Sequence, residues 1–301
     1  TQSIKITTGI RNYGTCCKVE LNMHIPHHDN HNKPIVDRND GRVPLCFFNI
    51  VKLNKGETFN SQVEGYETCL VPATGSIDVS VGNETYEQVG KRLHIWEGDP
   101  EGVYVPVGVA ATMRCVSDEA EVFVGGAKHD EVYEPFVVRE NDIDPVQYGS
   151  DDTKTHRKIK HILGQNPGGQ VGRLLVSELF TVGAGGWSGF PPHKHDTDHL
   201  PSETRHDEVY NFRFNPEHGF GAQFLTKEGE DYGDVYHIRN SSTILLEKGY
   251  HPCVAAPGYE MYYFTILAGL SQRPLIQNFH SDHAYQLETI PGIKDMINKF
   301  K

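Results

Sequence analysis

Two histidines separated by one residue, His193 and His195, constrain this chain more than any other feature of its sequence. In a β-strand successive side chains point to opposite faces, so both imidazoles would project to one side and Lys194 to the other. Two imidazoles on one side of a strand can bind a single divalent ion. The pattern therefore predicts a strand at this point, with a metal site on one of its faces.

A carboxylate and a third imidazole follow in β-rich segments. Residues 207–210 read Asp-Glu-Val-Tyr and contain Glu208, and residues 249–252 read Gly-Tyr-His-Pro and contain His251. Glu203 competes for the acidic position, but it lies in a loop-like stretch, whereas Glu208 opens a strand-like run. We expect His193, His195, Glu208 and His251 to bind one divalent metal ion and to leave positions open for water or substrate. The alternative is that these histidines are solvated loop residues.

Short β-rich runs separated by Gly, Pro and Asn occupy most of the chain, which is typical of an all-β sandwich or barrel. We predict strands at 46–53, 67–73, 76–81, 93–96, 103–107, 122–125, 174–181, 193–195, 208–214, 221–226, 234–238, 243–246 and 261–267. The polar and acidic stretch 128–156 reads as a linker. One helix is expected at the end, where Pro291 suits a first turn and Ile293, Met296, Ile297 and Phe300 share a face.

The two halves of this pattern resemble each other, which indicates an internal duplication. We predict an extension at 1–42, a first domain at 43–145 without metal ligands, and a second domain at 146–301 that contains the metal site. The first domain has Ala110-Ala111 about where a ligand histidine is expected. For the extension, which contains His24, His27 and other histidines, we favour a solvated arm over a metal site. A further hypothesis is that it covers an exposed sheet edge.

Composition excludes several classes of function. The chain has 28 Lys and Arg against 40 Asp and Glu, a net charge of −12, which opposes affinity for nucleic acid or anionic membranes. We see no apolar run that would cross a bilayer and no secretory leader, so we expect no membrane association. The six cysteines lack C-x-x-C pairs and predict free thiols in a cytoplasmic protein.

Five motifs carry a family resemblance. They are G-x-P-P-H-K-H-D at 189–196, E-V-Y at 208–210, N-P-x-x-G-F-x-x-Q at 215–223, G-Y-H-P at 249–252 followed by A-P-G-Y at 256–259, and Y-Y-x-x-x-L-A-G at 262–269. Together they resemble the 5-deoxyglucuronate isomerase family of myo-inositol catabolism, most strongly over 160–285 and more loosely over 43–145.

The resemblance implies a bicupin, with two jelly-roll β-barrel domains in one chain and a short C-terminal helix. It also implies that His193, His195, Glu208 and His251 hold a divalent ion, which the sequence leaves open among Zn, Mn, Fe, Co and Ni. The implied reaction is the aldose–ketose isomerisation of 5-deoxy-D-glucuronate to 5-dehydro-2-deoxy-D-gluconate. The expected partner is therefore a small sugar acid.

Such a reaction needs a proton carrier and a receptor for the substrate carboxylate. As catalytic candidates we take Tyr210 and Tyr262, with Tyr263 and Glu208 as alternatives. Each tyrosine could equally be a core residue. Arg173 and Arg205 are candidates for the carboxylate, although each could be a solvated surface residue, and Gln223 is a candidate for the sugar hydroxyls or for a core hydrogen bond.

Two other functions compete with the isomerase. A cupin dioxygenase would hold iron with the same three histidines and one glutamate, and would take up oxygen. A non-catalytic sugar-binding cupin would bind metal or ligand without turnover. The oligomeric state is open, although association into a homo-oligomer through exposed sheet edges is a possibility.

Overall fold

The computed structural model describes residues 22–165 and 167–299, and it consists mainly of β-strands. The first ten strands are β1 (His24–Ile25), β2 (Cys46–Asn54), β3 (Thr58–Ser61), β4 (Tyr66–Thr74), β5 (Ile77–Val81), β6 (Glu84–Val89), β7 (Gly102–Val105), β8 (Ala111–Cys115), β9 (Glu119–Lys128) and β10 (Phe136–Val138). The next twelve are β11 (Val146–Tyr148), β12 (Arg157–Leu163), β13 (Leu174–Thr181), β14 (Gly186–Ser188), β15 (His193–Lys194), β16 (His206–Asn215), β17 (Phe220–Leu225), β18 (Asp234–Arg239), β19 (Thr243–Leu246), β20 (Cys253–Ala255), β21 (Glu260–Gly269) and β22 (Asn278–Phe279).

Helical structure is limited to two 3₁₀ turns, Glu140–Asp142 and Ala284–Glu288, and the helix α1 (Ile293–Lys299) in the described residues. The predicted all-β chain with a short C-terminal helix is therefore confirmed. Ile293 and Met296 are buried on one face of α1, as their spacing predicts, and Phe300 lies outside the described residues. No helix in the described part of the chain is both long and apolar enough to span a membrane.

Each half of the chain contains one larger and one smaller sheet. In the first half the larger sheet has the order β10-β7-β4-β9-β2 and the smaller one β3-β8-β5-β6. In the second half the orders are β1-β19-β16-β21-β13-β12-β11 and β14-β20-β17-β18, with β15 and β22 as a separate two-stranded ribbon. This repetition agrees with the predicted duplication. Each half is a pair of open sheets rather than a closed barrel.

The two larger sheets pack against each other through a shared apolar core. Phe123 of β9 and Phe264 of β21 lie with ring centroids 4.8 Å apart, and Phe48 of β2 stacks on Phe264 at 6.1 Å. Each larger sheet therefore buries both faces, one against the other half and one against its own smaller sheet. This explains why β4, β13 and β21 are buried almost continuously instead of alternating between buried and exposed residues.

Buried charges also join the halves. The guanidinium of Arg92 binds the carboxylate of Glu178 on β13 with two hydrogen bonds of 2.8 and 2.5 Å. The carboxylate of Glu67 on β4 accepts hydrogen bonds from the backbone N–H groups of Gly172 (2.9 Å) and Leu174 (2.8 Å). Removing one member of such a buried pair typically costs about 3–5 kcal/mol, because the other charge stays buried without a partner.

Two predictions about local structure are wrong. Residues 93–96 form a loop in which the Leu93 side chain is 82% exposed, so this short run lacks the pairing partner that a strand needs. The stretch 128–156 is more than a linker, because it contains β10 and β11, which pair with β7 and β12. The chain passes from the first larger sheet to the second between these strands. The domain boundary at 145/146 stays a prediction.

The described part of the N-terminal extension is not a solvated arm. His24 and Ile25 pair with β19 and form the edge of the seven-stranded sheet, and Val36 is fully buried in the core between the larger sheets. This arrangement agrees with the hypothesis that the extension covers a sheet edge.

The cysteines that the structure describes are free and buried, namely Cys46, Cys69, Cys115 and Cys253. They agree with the prediction of free thiols, and Cys16 and Cys17 lie outside the described residues.

Candidate metal centre

The ribbon of β15 and β22 positions the first two histidines. His193 pairs with Phe279 and Lys194 with Asn278, so the side chains alternate as the H-x-H spacing predicts. The Lys194 ammonium lies 2.8 Å from the carboxylate of Glu203, on the side away from the histidine rings. Glu203 is thus occupied by this lysine and by backbone N–H groups, which agrees with the preference for Glu208 at the metal site.

His251 joins this pair from the loop between β19 and β20. The nearest ligand nitrogens of His193, His195 and His251 all lie within 4.8 Å of one another, and all three side chains are buried. Within residues 22–165 and 167–299, this is the one group of three or more His, Cys, Asp or Glu residues with such geometry. The structure therefore brings together three predicted ligands that are up to 58 positions apart in the chain.

Backbone carbonyls hold the three rings in one tautomer. Each Nδ1 lies within hydrogen-bond distance of a carbonyl oxygen: 3.1 Å for His193 and Pro191, 3.0 Å for His195 and His206, and 2.8 Å for His251 and Gly249. Because a carbonyl only accepts, each Nδ1 must donate, so Nε2 is the nitrogen that each neutral ring can offer to a metal ion. The Nε2 of His251 is buried and has no hydrogen-bond partner among the described residues. This donor set fits a metal ion.

Burial lowers the pKa of His193 and of His251 to about 3. Both imidazoles are therefore neutral at pH 7, the state in which histidine binds metal. The local environment thus favours the ligand form before any ion arrives.

Glu208 lies beside the three rings on β16. Its Oε2 is 3.1 Å from Nε2 of His195 and 3.5 Å from Nε2 of His251, and its Oε1 accepts a hydrogen bond of 2.7 Å from the hydroxyl of Thr265. Burial opposes ionisation of this carboxyl, but the hydrogen bond with His195 and its charge outweigh that effect and lower the pKa of Glu208. An ionised carboxylate beside three imidazoles is a suitable fourth ligand.

The cluster borders a partly enclosed cavity. Alternation along two strands decides which side chains reach it. On β16, Glu208 and Tyr210 line the cavity, while on β21 the lining residues are Tyr263, Thr265 and Leu267. The other face of β21 packs into the core between the two halves.

This alternation corrects one catalytic candidate. Tyr262 lies on the face of β21 that is turned away from the cavity, and its hydroxyl donates a hydrogen bond of 2.9 Å to Glu178. Its neighbour Tyr263 faces the cavity instead. Tyr210, the other candidate, lines the cavity, and its hydroxyl makes no hydrogen bond within the described part of the chain.

The three candidates for substrate binding lie outside the cavity lining. Arg173 contributes its backbone N–H to the Glu67 carboxylate. The guanidinium of Arg205 lies 3.7 Å from the acids Asp207 and Glu247. The amide of Gln223 donates to the backbone carbonyls of the ligand loop at 251–252.

Three polar residues of the cavity lining near the histidines were not candidates from the sequence. They are Arg157 on β12, Tyr148 on β11 and Gln277, whose amide nitrogen lies 3.0 Å from Nε2 of His193. One sequence signal for Arg157 was its place beside the apolar residues of β12, which is unusual for a charged side chain. The polar stretch before it predicted a linker, so this signal did not indicate a site. Their proximity to the histidines is a product of the tertiary fold.

Comparisons with known proteins agree with this arrangement. The model of the KduI/IolB family matches residues 23–286. A protein from Geobacillus kaustophilus named 5-deoxy-glucuronate isomerase is 33% identical over 245 residues, which cover 80% of this chain and 86% of that protein. The crystal structure of an IolB-like protein from Salmonella typhimurium LT2 superposes with a TM-score of 0.81 at 26% identity, covering 88% of this chain and 99% of that one.

A more distant likeness supports the fold alone. An oxalate decarboxylase from Bacillus subtilis matches with a TM-score of 0.61 at 10% identity, covering 89% of this chain and 83% of that one.

Proposed function

The chain belongs to the KduI/IolB family, and on that premise we propose that it is an aldose–ketose isomerase that converts 5-deoxy-D-glucuronate to 5-dehydro-2-deoxy-D-gluconate. The observation that carries the proposal is the buried three-histidine cluster beside a cavity, in a chain that matches the family over residues 23–286. Its partner is then a small sugar acid. A cytoplasmic location and a homo-oligomer stay predictions.

We propose that His193, His195, His251 and Glu208 hold one divalent metal ion. The nitrogen and carboxylate ligands suit Zn, Mn, Fe, Co or Ni. When bound, such an ion supplies a Lewis acid that stabilises negative charge on the carbonyl and hydroxyl oxygens of a sugar. The chain's own part is to orient the three imidazoles through the Nδ1–carbonyl hydrogen bonds and, by burial, to keep His193 and His251 neutral.

Tyr210 is the side chain that we propose for contact with the reacting end of the sugar. The reaction moves a hydrogen from C2 to C1, so the oxygens on these carbons change their charge and protonation during turnover. Burial and the nearby Glu208 charge raise the pKa of Tyr210 well above its ordinary value. Tyr210 therefore keeps its proton and acts as a hydrogen-bond donor to a substrate oxygen rather than as a base.

The walls of the cavity support the same chemistry by excluding water. Phe279 of β22 and both Ile293 and Met296 of α1 contribute apolar surface to the lining. In such a low-dielectric site, hydrogen bonds to a developing charge are stronger than in water.

The test is conversion of 5-deoxy-D-glucuronate by the purified protein, followed by NMR with and without a chelator. We expect the 2-deoxy-5-keto acid to form, the chelator to stop its formation, and His193→Ala to abolish activity. His28→Ala, which changes an exposed histidine, is the matched control and should retain activity. Absence of conversion by a protein that carries stoichiometric metal would overturn the proposed substrate.

A further inference from the structure

Arg157 is a buried cation without an acidic partner. Its exposed fraction is 4%, and no carboxylate lies within ion-pair distance of its guanidinium in the part of the chain that the structure describes. Burying a charge without a counter-charge costs several kcal/mol, so proteins rarely do so without a function. The other buried arginine described above, Arg92, shows the usual solution, because it binds Glu178 through both terminal nitrogens.

Neutral hydroxyl groups satisfy only part of this guanidinium. One terminal nitrogen donates to the Tyr148 hydroxyl at 2.8 Å and the other to the Tyr263 hydroxyl at 3.0 Å. The Nε of Arg157 is buried and has no partner among the described residues. The two phenols orient the guanidinium, and the ring of Tyr148 lies 5.5 Å from its central carbon, but neither phenol supplies a negative charge.

The position of Arg157 connects it to the metal centre. Arg157 lines the same cavity as His193, His195 and Glu208. Apolar residues of α1 line that cavity as well, so an anion inside it would interact with the guanidinium more strongly than in water. By contrast, Arg205 lies beside two acids, and neither Arg205 nor Arg173 lines the cavity.

We propose that Arg157 binds the carboxylate of the substrate, with the hydroxyls of Tyr148 and Tyr263 holding the guanidinium in place. The inference rests on the isomerase function proposed above. In 5-deoxy-D-glucuronate the carboxylate and the reacting carbonyl are at opposite ends of the six-carbon chain, so two receptors in one cavity suit it. The ligand class is thus a linear uronate, and Arg157 determines the preference for an acid over the neutral sugar.

The experiment compares two substrates, 5-deoxy-D-glucuronate and the neutral 5-deoxyhexose in which a hydroxymethyl group replaces the carboxylate. For Arg157→Met we expect kcat/KM on the acid to fall about 100-fold or more, mainly through KM, because a charge-assisted pair is lost. Activity on the neutral sugar and bound metal should stay nearly unchanged. Arg157→Lys, which keeps the charge without the planar fork, should show an intermediate loss and serves if the Met variant does not fold.

Arg92→Lys is the matched control, since it alters a buried arginine outside the cavity. It should lower stability but leave the acid-to-neutral ratio of kcat/KM as in the wild type. If the wild type is active and either Arg157 variant folds with an unchanged ratio, the carboxylate role is overturned while the isomerase stands. If the wild type with bound metal converts neither sugar, the isomerase proposal fails and this inference fails with it.

Discussion

The side-chain amide of Gln223 donates a hydrogen bond of 2.7 Å to the backbone carbonyl of His251. The same nitrogen lies 3.1 Å from the carbonyl oxygen of Pro252, and Gln223 is fully buried. Gln223 thus supports the loop that carries a proposed metal ligand, which agrees with the core hydrogen bond that was one of the two alternatives for this residue. Hydrogen bonds behind a ligand determine how well that ligand is positioned.

Gln223→Ala should therefore weaken metal binding about 10-fold or more. It should also destabilise the fold by about 1–3 kcal/mol, because two buried carbonyls lose a donor. Metal titration and urea unfolding measure the two effects. Gln62→Ala changes an exposed glutamine and should alter neither. Unchanged metal affinity in a folded Gln223→Ala protein would contradict the supporting role.

Removal of a proposed ligand should remove the metal. For His251→Ala we expect bound metal to fall from about one ion per chain to a small fraction, because a site left with three of its four ligands binds the ion much more weakly. Elemental analysis after dialysis measures the bound metal. His27→Ala alters an exposed histidine of the N-terminal extension and should keep its metal. Retention of a full equivalent by His251→Ala would show that the ion binds elsewhere.

The two tyrosine candidates should behave differently. Tyr210→Phe removes a hydroxyl from the cavity and should lower kcat about 10-fold or more, with metal content unchanged. Tyr262→Phe removes a hydrogen bond to Glu178 in the core between the halves, so it should cost about 1 kcal/mol of stability and leave kcat/KM nearly as in the wild type. Steady-state kinetics together with thermal unfolding decides this, and the reverse pattern would restore Tyr262 as the catalytic candidate.

The ion pair behind the H-x-H strand should affect stability. Lys194→Met leaves the buried carboxylate of Glu203 without its cation and should destabilise the protein by about 3–5 kcal/mol. The double variant with Glu203→Gln removes the uncompensated charge and should recover part of the loss. Urea unfolding of the three proteins measures this, and a double variant no more stable than Lys194→Met would show that charge is not the cause.

The stability of the metal-free protein should depend on pH. Burial lowers the pKa of His193 and His251 to about 3 and that of His206 to about 4, against 6.5 in the unfolded chain. Between about pH 4 and 6.5 the unfolded chain therefore binds protons that the folded chain excludes, by up to about 1.4 kcal/mol per histidine per pH unit. The contribution of these three histidines is fully present above pH 6.5 and is lost as the pH falls below it.

His195 does not oppose this trend in that window. Its pKa is raised, since burial lowers it but the Glu208 partner has the larger effect, so the ring is protonated in both states below pH 6.5. Urea unfolding after chelation, at about pH 5 and about pH 6.5, where the charge of His195 is the same in both states, should give the lower midpoint at the more acidic pH. An equal or higher midpoint at the acidic pH would contradict the assignment of these histidines as neutral.

Local periodicity determined much of this protein. The two-residue repeat of a strand was enough to predict that His193 and His195 share a side, that Lys194 points away, and that Glu208 rather than Glu203 lies beside the histidines. Most strands and the buried face of α1 were equally predictable. These features depend on residues close together in the chain, for which sequence spacing is a direct measure of direction.

Tertiary structure alone decided the rest of the site. The larger sheets are buried on both faces, so their strands are apolar on both sides, and polarity does not reveal which face lines the cavity. The choice between Tyr262 and Tyr263 depends on this packing. Arg157 likewise reaches the metal centre only because β12, β16 and the ribbon of β15 meet around one cavity. Such long-range contacts arise from the pairing and packing of distant strands, which no local sequence pattern encodes.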